Sequence, residues 1–177
     1  MVLVVYETHS ISEDNEAGIA TGWLPGKLSA TGRSGAAALG QRRRNDGVDV
    51  VFTSDLGRAT ETAAIAFGGS GIAVIEDSRL RECNYGEMNG TPVAGFVGRR
   101  HEYVDVPYPG GESWRQAVAR LDDFLHDLAR DHHGKRVVLV GHSAQRFGFE
   151  HLLRGRPFQE LVDADFDWQE GWEYTYG

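Results

Sequence analysis

The sequence predicts an α/β protein, a three-layer sandwich with a mostly parallel central sheet flanked by helices. Three observations point there. Residues 2–6, 48–52 and 137–140 are short, continuous, β-branched runs, the pattern of strands buried on both faces. Stretches with helical spacing lie between those runs, and such alternation builds a parallel-rich sheet covered by helices. The 177 residues suit one core, so a single domain over residues 1–177 is expected.

The first strand, 2–6, runs into Thr8-His9-Ser10. Residues 8–28 are small and polar and read as a long loop. Ser29 and Thr31 then offer caps for an Ala-rich helix over 33–44. After the strand at 48–52, a second helix starts at Asp55, passes through Arg58 and Thr62 to Phe67, and closes at Gly68-Gly69. Residues 77–109 carry Gly86, Gly90, Gly95 and Pro107 and read as irregular, with one short helix near 96–103 and a role as the specificity loop. The clearest helix begins near Glu112: Trp114, Val118, Leu121, Leu125 and Leu128 share a face, and Gly134 ends it. The strand at 137–140 delivers Gly141-His142-Ser143. In the tail, Trp172, Tyr174 and Tyr176 alternate as on a terminal edge strand; an oligomer interface or a wall of a substrate pocket is the sharper reading.

Composition narrows the partners. The formal charge is −8, which argues against nucleic acid, because backbone recognition rests on clustered Lys and Arg. The one basic run, Arg42-Arg43-Arg44, reads as the solvated last turn of a helix. No apolar run has the length of a membrane span, and residues 2–6 lack the flanks of a signal sequence, so a cytoplasmic location is expected. Cys83 is the single cysteine, which excludes an internal disulfide and a CxxC metal motif; beside Glu82 it reads as an inert, packed thiol. His101, His126, His132, His133 and His151 show no metal-ligand spacing, so neither a metal nor a cofactor is expected. A homodimer is left open.

Chemistry concentrates where strands end. In open α/β sheets, ligands bind outside the carboxyl ends of the strands, and both His9 and His142 directly follow one. Ser54-Asp55-Leu56-Gly57-Arg58-Ala59 follows another, and Arg81-Glu82-Cys83-Asn84-Tyr85-Gly86 sits in the long irregular stretch. A neutral imidazole is a competent nucleophile near neutral pH.

These blocks resemble the histidine phosphatases, the phosphoglycerate-mutase-like superfamily. Thr8 to Gly32, with Asn15, Gly18, Gly22-Trp23 and Leu28-Ser29, is similar to the family's opening segment. Ser54-Asp55-Leu56 with Arg58-Ala59 and Glu61-Thr62-Ala63 is similar to its second block, and Leu80-Arg81-Glu82 with Tyr85-Gly86 to the block carrying the acid. Gly111-Glu112-Ser113 and Gly141-His142 match two more, so the likeness runs over about residues 2–155 in the family's order.

The resemblance implies a metal-independent phosphoric monoester hydrolase acting on a phosphorylated small molecule. It implies that His9 takes the phosphoryl group, that Arg58 and His142 hold its oxygens, and that Glu82 serves the leaving oxygen and then water. Thr8, Ser10, Asn15, Tyr85, Ser143 and Arg146 would line the phosphate or substrate site. Two positions depart from the family: its arginine before the nucleophile is Thr8 here, and the glycine after it is Ser10. A charge-assisted hydrogen bond is worth about 1.5–3 kcal/mol, so the missing arginine matters; Arg146 and Arg81 are the candidate substitutes. The alternatives are a phosphoglycerate-type mutase, for which the chain looks short, and a repurposed or purely binding pocket.

Overall fold

The computed structural model describes residues 1–96 and 98–177, so Val97, within the helix expected near 96–103, lies outside the described residues. Five strands form the main sheet: β1 (Val2–Thr8), β3 (Val50–Thr53), β4 (Ala73–Glu76), β6 (Arg136–Gly141) and β7 (Trp172–Tyr176), in the order β4-β3-β6-β1-β7. The first four are mutually parallel and β7 is antiparallel to β1. Two-residue strands β2 (Ile19–Ala20) and β5 (Thr91–Pro92) pair separately and join the two irregular stretches.

The helices are α1 (Glu13–Ala17), α2 (Ala30–Arg43), α3 (Gly57–Phe67), α4 (Trp114–Asp131), α5 (Ser143–Arg154) and α6 (Phe158–Val162). One sheet face, with Val5, Val51, Val138 and Val140, packs Leu39 of α2 and Ala63, Ala66 and Phe67 of α3. The other, with Val4, Tyr6, Phe52 and Leu139, packs Leu121, Phe124, Leu125 and Leu128 of α4 and Phe149 of α5. This is the expected three-layer sandwich. Continuous apolar strands are what a sheet covered on both faces requires.

Local chemistry sets the ends of these elements. The Ser29 hydroxyl accepts from the Gly32 amide at 3.1 Å to start α2. Ser113 and Gln116 form a reciprocal capping box before α4. A second such box, Ser12 with Asn15, starts α1 inside the stretch read as loop; at five residues, α1 is too short for periodicity to reveal. β4 also escaped the sequence reading, because its four residues are exposed on an edge and show no buried-strand pattern. Among the described residues of 96–103, the backbone forms a short 3₁₀ turn, Arg100–Tyr103, in place of an α-helix. The tail forms the expected edge strand, with Trp172 and Tyr174 buried against β1.

The basic run is not a solvated turn. Arg43 Nε donates to Glu7 at 2.7 Å and Arg42 Nη2 donates to the same carboxylate at 3.2 Å. Arg44 turns to the carbonyls of Ala66 (2.5 Å) and Ile65 (2.9 Å) near the end of α3, where a cation suits the helix dipole. The cause is Glu7, 1% exposed on β1: a buried carboxylate requires compensating charge.

Helix α2 approaches the loop after β1 so closely that a Cβ at Gly32 would collide with the Ile11 carbonyl. Gly32→Ala is therefore expected to destabilise the fold by about 3 kcal/mol, read as a lower urea midpoint at constant slope. A loss within about 0.5 kcal/mol would show that the loop yields at no cost.

Candidate active site

Sheet register builds the site. Thr8 of β1 pairs with Gly141 of β6, so the residues that follow them, His9 and His142, leave adjacent strands side by side. The pairing extends one step further, with the His9 amide donating to the Gly141 carbonyl at 2.8 Å. Thr53 of β3 pairs with Val140 on the other side of β6, which brings Ser54 to the same rim. The two imidazole centroids lie 5.0 Å apart.

The His9 tautomer follows from its partners. Nδ1 lies 2.7 Å from the Ser10 carbonyl, which can only accept, so Nδ1 carries the proton and Nε2 the lone pair. Arg58 Nε donates to that lone pair at 3.2 Å. Arg58 reaches it from the first turn of α3, with Nη2 held by the Gly22 carbonyl at 3.0 Å and Nη1 buried without a partner. Thr62, one turn later, accepts from the Ser10 amide at 2.9 Å and fixes the His9 loop to the same helix. Burial and then the Arg58 charge push the His9 imidazole from 6.5 down to about 3, so it is neutral in the folded protein near neutral pH.

His142 is the N-cap of α5 and fully enclosed. Its Nε2 lies 2.6 Å from the Ser54 hydroxyl, its Nδ1 is buried without a partner, and its backbone amide is held by Gln145 at 2.8 Å. Burial, then Arg58 and His9, holds this ring well below the ordinary imidazole range too.

Glu82 approaches from the loop opposite. Its Oε1 accepts from the amides of Cys83 (2.9 Å) and Ala144 (3.0 Å), and its Oε2 from the amide (3.2 Å) and hydroxyl (2.7 Å) of Ser143. The carboxylate thus sits on the first turn of α5, where backbone N–H groups and the helix dipole favour an anion. Trp23 Nε1 donates to the Glu82 carbonyl at 2.6 Å and sets the loop's height. Beside it, burial pushes the Cys83 thiol well above its ordinary range, in keeping with a packed cysteine.

His9, His142 and Glu82 open onto a cavity of about 780 Å³, lined by Thr8, His9, Ser10, Asn15, Glu82, His142 and Ser143 of the expected set, whereas Arg58 contacts His9 Nε2 without lining the cavity itself. Asn15 commits its Oδ1 to capping α1, which leaves its amide N–H groups. Three expected residues point elsewhere. Tyr85 packs in an aromatic cluster with Phe96, Tyr108 and Trp114. Arg146 is bound to Glu150 (2.6 Å) and the Tyr174 hydroxyl (2.9 Å) and stacks on Trp172. Arg81 grips Asp55 with two donors and lies over Trp23. Neither arginine replaces the one missing at Thr8, because buried or half-buried acids already claim both. Among the described residues, the irregular 77–109 stretch lines the cavity only through Glu82. The other walls are Ile11, α2 and the segment before β7, which supplies Phe166, Trp168 and Glu170. Ser54 belongs to the block that also carries Arg58, but its pairing with His142, 88 residues away, depends on a contact that no local pattern reveals.

Both rings gain protons more readily once unfolded. The stabilising contribution of His9 is complete above 6.5 and is lost as pH falls from there towards about 3, and that of His142 is lost in the same direction. Melting temperature is expected to drop over that window, and less steeply in His9→Gln, which cannot titrate. Equal slopes would show that His9 is not held neutral.

Comparison with known proteins decides the lineage. The histidine phosphatase superfamily (branch 1) model matches residues 8–167. The chain belongs to the histidine phosphatase superfamily. A 2,3-bisphosphoglycerate-dependent phosphoglycerate mutase of Methylobacterium sp. (strain 4-46) is 35% identical over 156 residues, covering 79% of this chain and 74% of the relative. Phosphoserine phosphatase 1 of Hydrogenobacter thermophilus is 29% identical over 151 residues, covering 81% and 72%. Among solved structures, a mycobacterial glucosyl-3-phosphoglycerate phosphatase in complex with VO3 superposes with a TM-score of 0.79 at 26% identity, over 90% of this chain and 85% of that one. Within this histidine phosphatase fold, Thr8 stands where the family resemblance places an arginine. Its hydroxyl accepts from Trp168 Nε1 at 3.2 Å.

Proposed function

We propose that the chain hydrolyses phosphate monoesters of small molecules through a phosphohistidine at His9. The observation that carries this is the His9 Nε2 lone pair, unprotonated and aligned by Arg58, with the second imidazole beside it. In the first step Nε2 forms a bond to phosphorus as the ester P–O bond breaks, and the leaving oxygen takes a proton from Glu82. In the second, water attacks phosphorus, the P–N bond breaks, its electron pair returns to Nε2, and Glu82 recovers a proton from the water. The unpartnered Arg58 Nη1 and His142 Nδ1 are buried polar groups that a phosphoryl oxygen would satisfy. Of the four donors on Glu82, the Ser143 hydroxyl alone can rotate to accept, which lets the carboxyl hold a proton without losing its seat. No step calls on a metal ion.

A mutase reading draws on the curated relatives of that name. It requires a seat for a second anionic group of the substrate. Among the described residues, the one arginine or lysine lining the cavity is Arg42, and Glu7 and Glu170 already engage it. That favours net hydrolysis. The test is phosphate release from a panel of phosphate esters with chelator present. Release of inorganic phosphate supports the hydrolase, whereas transfer between hydroxyls of one substrate without release would replace it with the mutase.

A further inference from the structure

The cavity is far larger than a phosphoryl group needs, and the part beyond His9 has a chemistry of its own. Its volume, about 780 Å³, lies within the range of roughly 300–1,000 Å³ in which pockets enclose whole small molecules. Ile11, Ala38, Leu39, Phe166 and Trp168 give the cavity an apolar lining. Both aromatic rings remain accessible, Phe166 38% and Trp168 58% exposed, at the rim of a site that also contains His9. Exposed aromatic side chains grouped at a cavity mouth mark a place where an apolar partner is taken up.

Trp168 is tied in place rather than loose. Its Nε1 donates to Thr8 Oγ1 at 3.2 Å, so the last residue of β1, directly before His9, holds the indole at the site. Phe166 is anchored in turn against Phe147 and Trp172. The charges on this wall are unsuited to an anion. Glu7, Glu82 and Glu170 line the cavity, and Arg42 is bound to two of those three.

We infer that the cavity beyond His9 is a subsite for an uncharged leaving group bearing a planar aromatic ring, which stacks on Trp168. The inference deepens the hydrolase reading and rests on it for the position of the phosphoryl group. In this arrangement Thr8 serves as the anchor of the aromatic wall. The preferred substrate is an aryl or arylalkyl phosphate, and compact polyanionic esters such as phosphoglycerate are disfavoured.

Two paired measurements test it. The first compares kcat/KM for naphthyl phosphate and phosphoglycerate in the wild type, Trp168→Ala and Thr8→Val. The aryl ester is expected to be preferred by about tenfold or more, and each substitution to erode that preference, Trp168→Ala by about tenfold. The second is calorimetric binding of naphthylmethyl phosphonate and methyl phosphonate, which needs no turnover. The aryl phosphonate should bind about tenfold tighter, with the difference lost in Trp168→Ala. Hydrolysis with no aryl preference, or a preference that Trp168→Ala leaves intact, overturns the subsite and spares the hydrolase. No hydrolysis of either ester, with the calorimetric difference present, overturns the hydrolase and supports the subsite. Equal binding of the two phosphonates overturns the subsite in either case.

Discussion

His9→Ala should lower phosphate release by at least about 10⁴-fold, because no other group in the cavity offers an unprotonated nitrogen aligned on an arginine. The imidazole is half-buried and its backbone is held independently, by the Gly141 carbonyl on one side and Thr62 on the other. The variant should therefore fold, and circular dichroism would confirm it. The loss should fall on kcat, since the phosphoryl seat formed by Arg58 and His142 would remain. Activity within tenfold of wild type would remove His9 from the chemistry and with it the phosphohistidine.

Arg58→Lys is expected to cost about 10²–10³-fold in kcat/KM, the range seen when a donor to developing charge is removed. Lysine keeps the charge but cannot reproduce what the guanidinium does. Arg58 holds Nε on His9, Nη2 on the Gly22 carbonyl, and Nη1 free for a phosphoryl oxygen, and that planar fork has no ammonium equivalent. Inhibition by inorganic phosphate should weaken in parallel, because the same Nη1 would bind product. With Thr8 in the family's arginine position and with Arg81 and Arg146 bound to acids elsewhere, little remains to take over. A lysine variant near wild-type activity would mean that phosphate binds away from Arg58.

Much of this was legible in the chain. Uninterrupted apolar runs announced β1, β3 and β6, and strands of that kind must be covered on both faces. His9 and His142 were readable as partners because each directly follows such a strand, and the register of Thr8 with Gly141 then places them together. What stayed hidden depends on contacts distant in sequence. Arg42 and Arg43 look like a surface run until Glu7, more than thirty residues earlier, is found buried beneath them. Arg146 stands one helical turn beyond His142, as an active-site arginine would. The buried Glu150, four residues further on, claims it instead. Tyr85 shares a sequence block with Glu82 but packs into the aromatic cluster with Phe96, Tyr108 and Trp114. The edge strand was foreseeable from alternating aromatics, and the pocket-wall reading of the aromatic tail applies to its first two rings, Phe166 and Trp168, which line the cavity. Nothing periodic marks that segment, and contacts distant in sequence fix its position: the Thr8 hydroxyl holds Trp168, and Phe147 packs against Phe166.

The most direct test of the central claim is to quench the enzyme during turnover of naphthyl phosphate at alkaline pH, where phosphohistidine survives, and map any phosphoryl group by mass spectrometry of peptides. One phosphoryl group is expected on the peptide containing His9, absent from His9→Ala and formed no more slowly than phosphate is released. Phosphate release in which no protein-bound phosphoryl group accumulates on that peptide under any quench time, or in which it resides on His142, would contradict it.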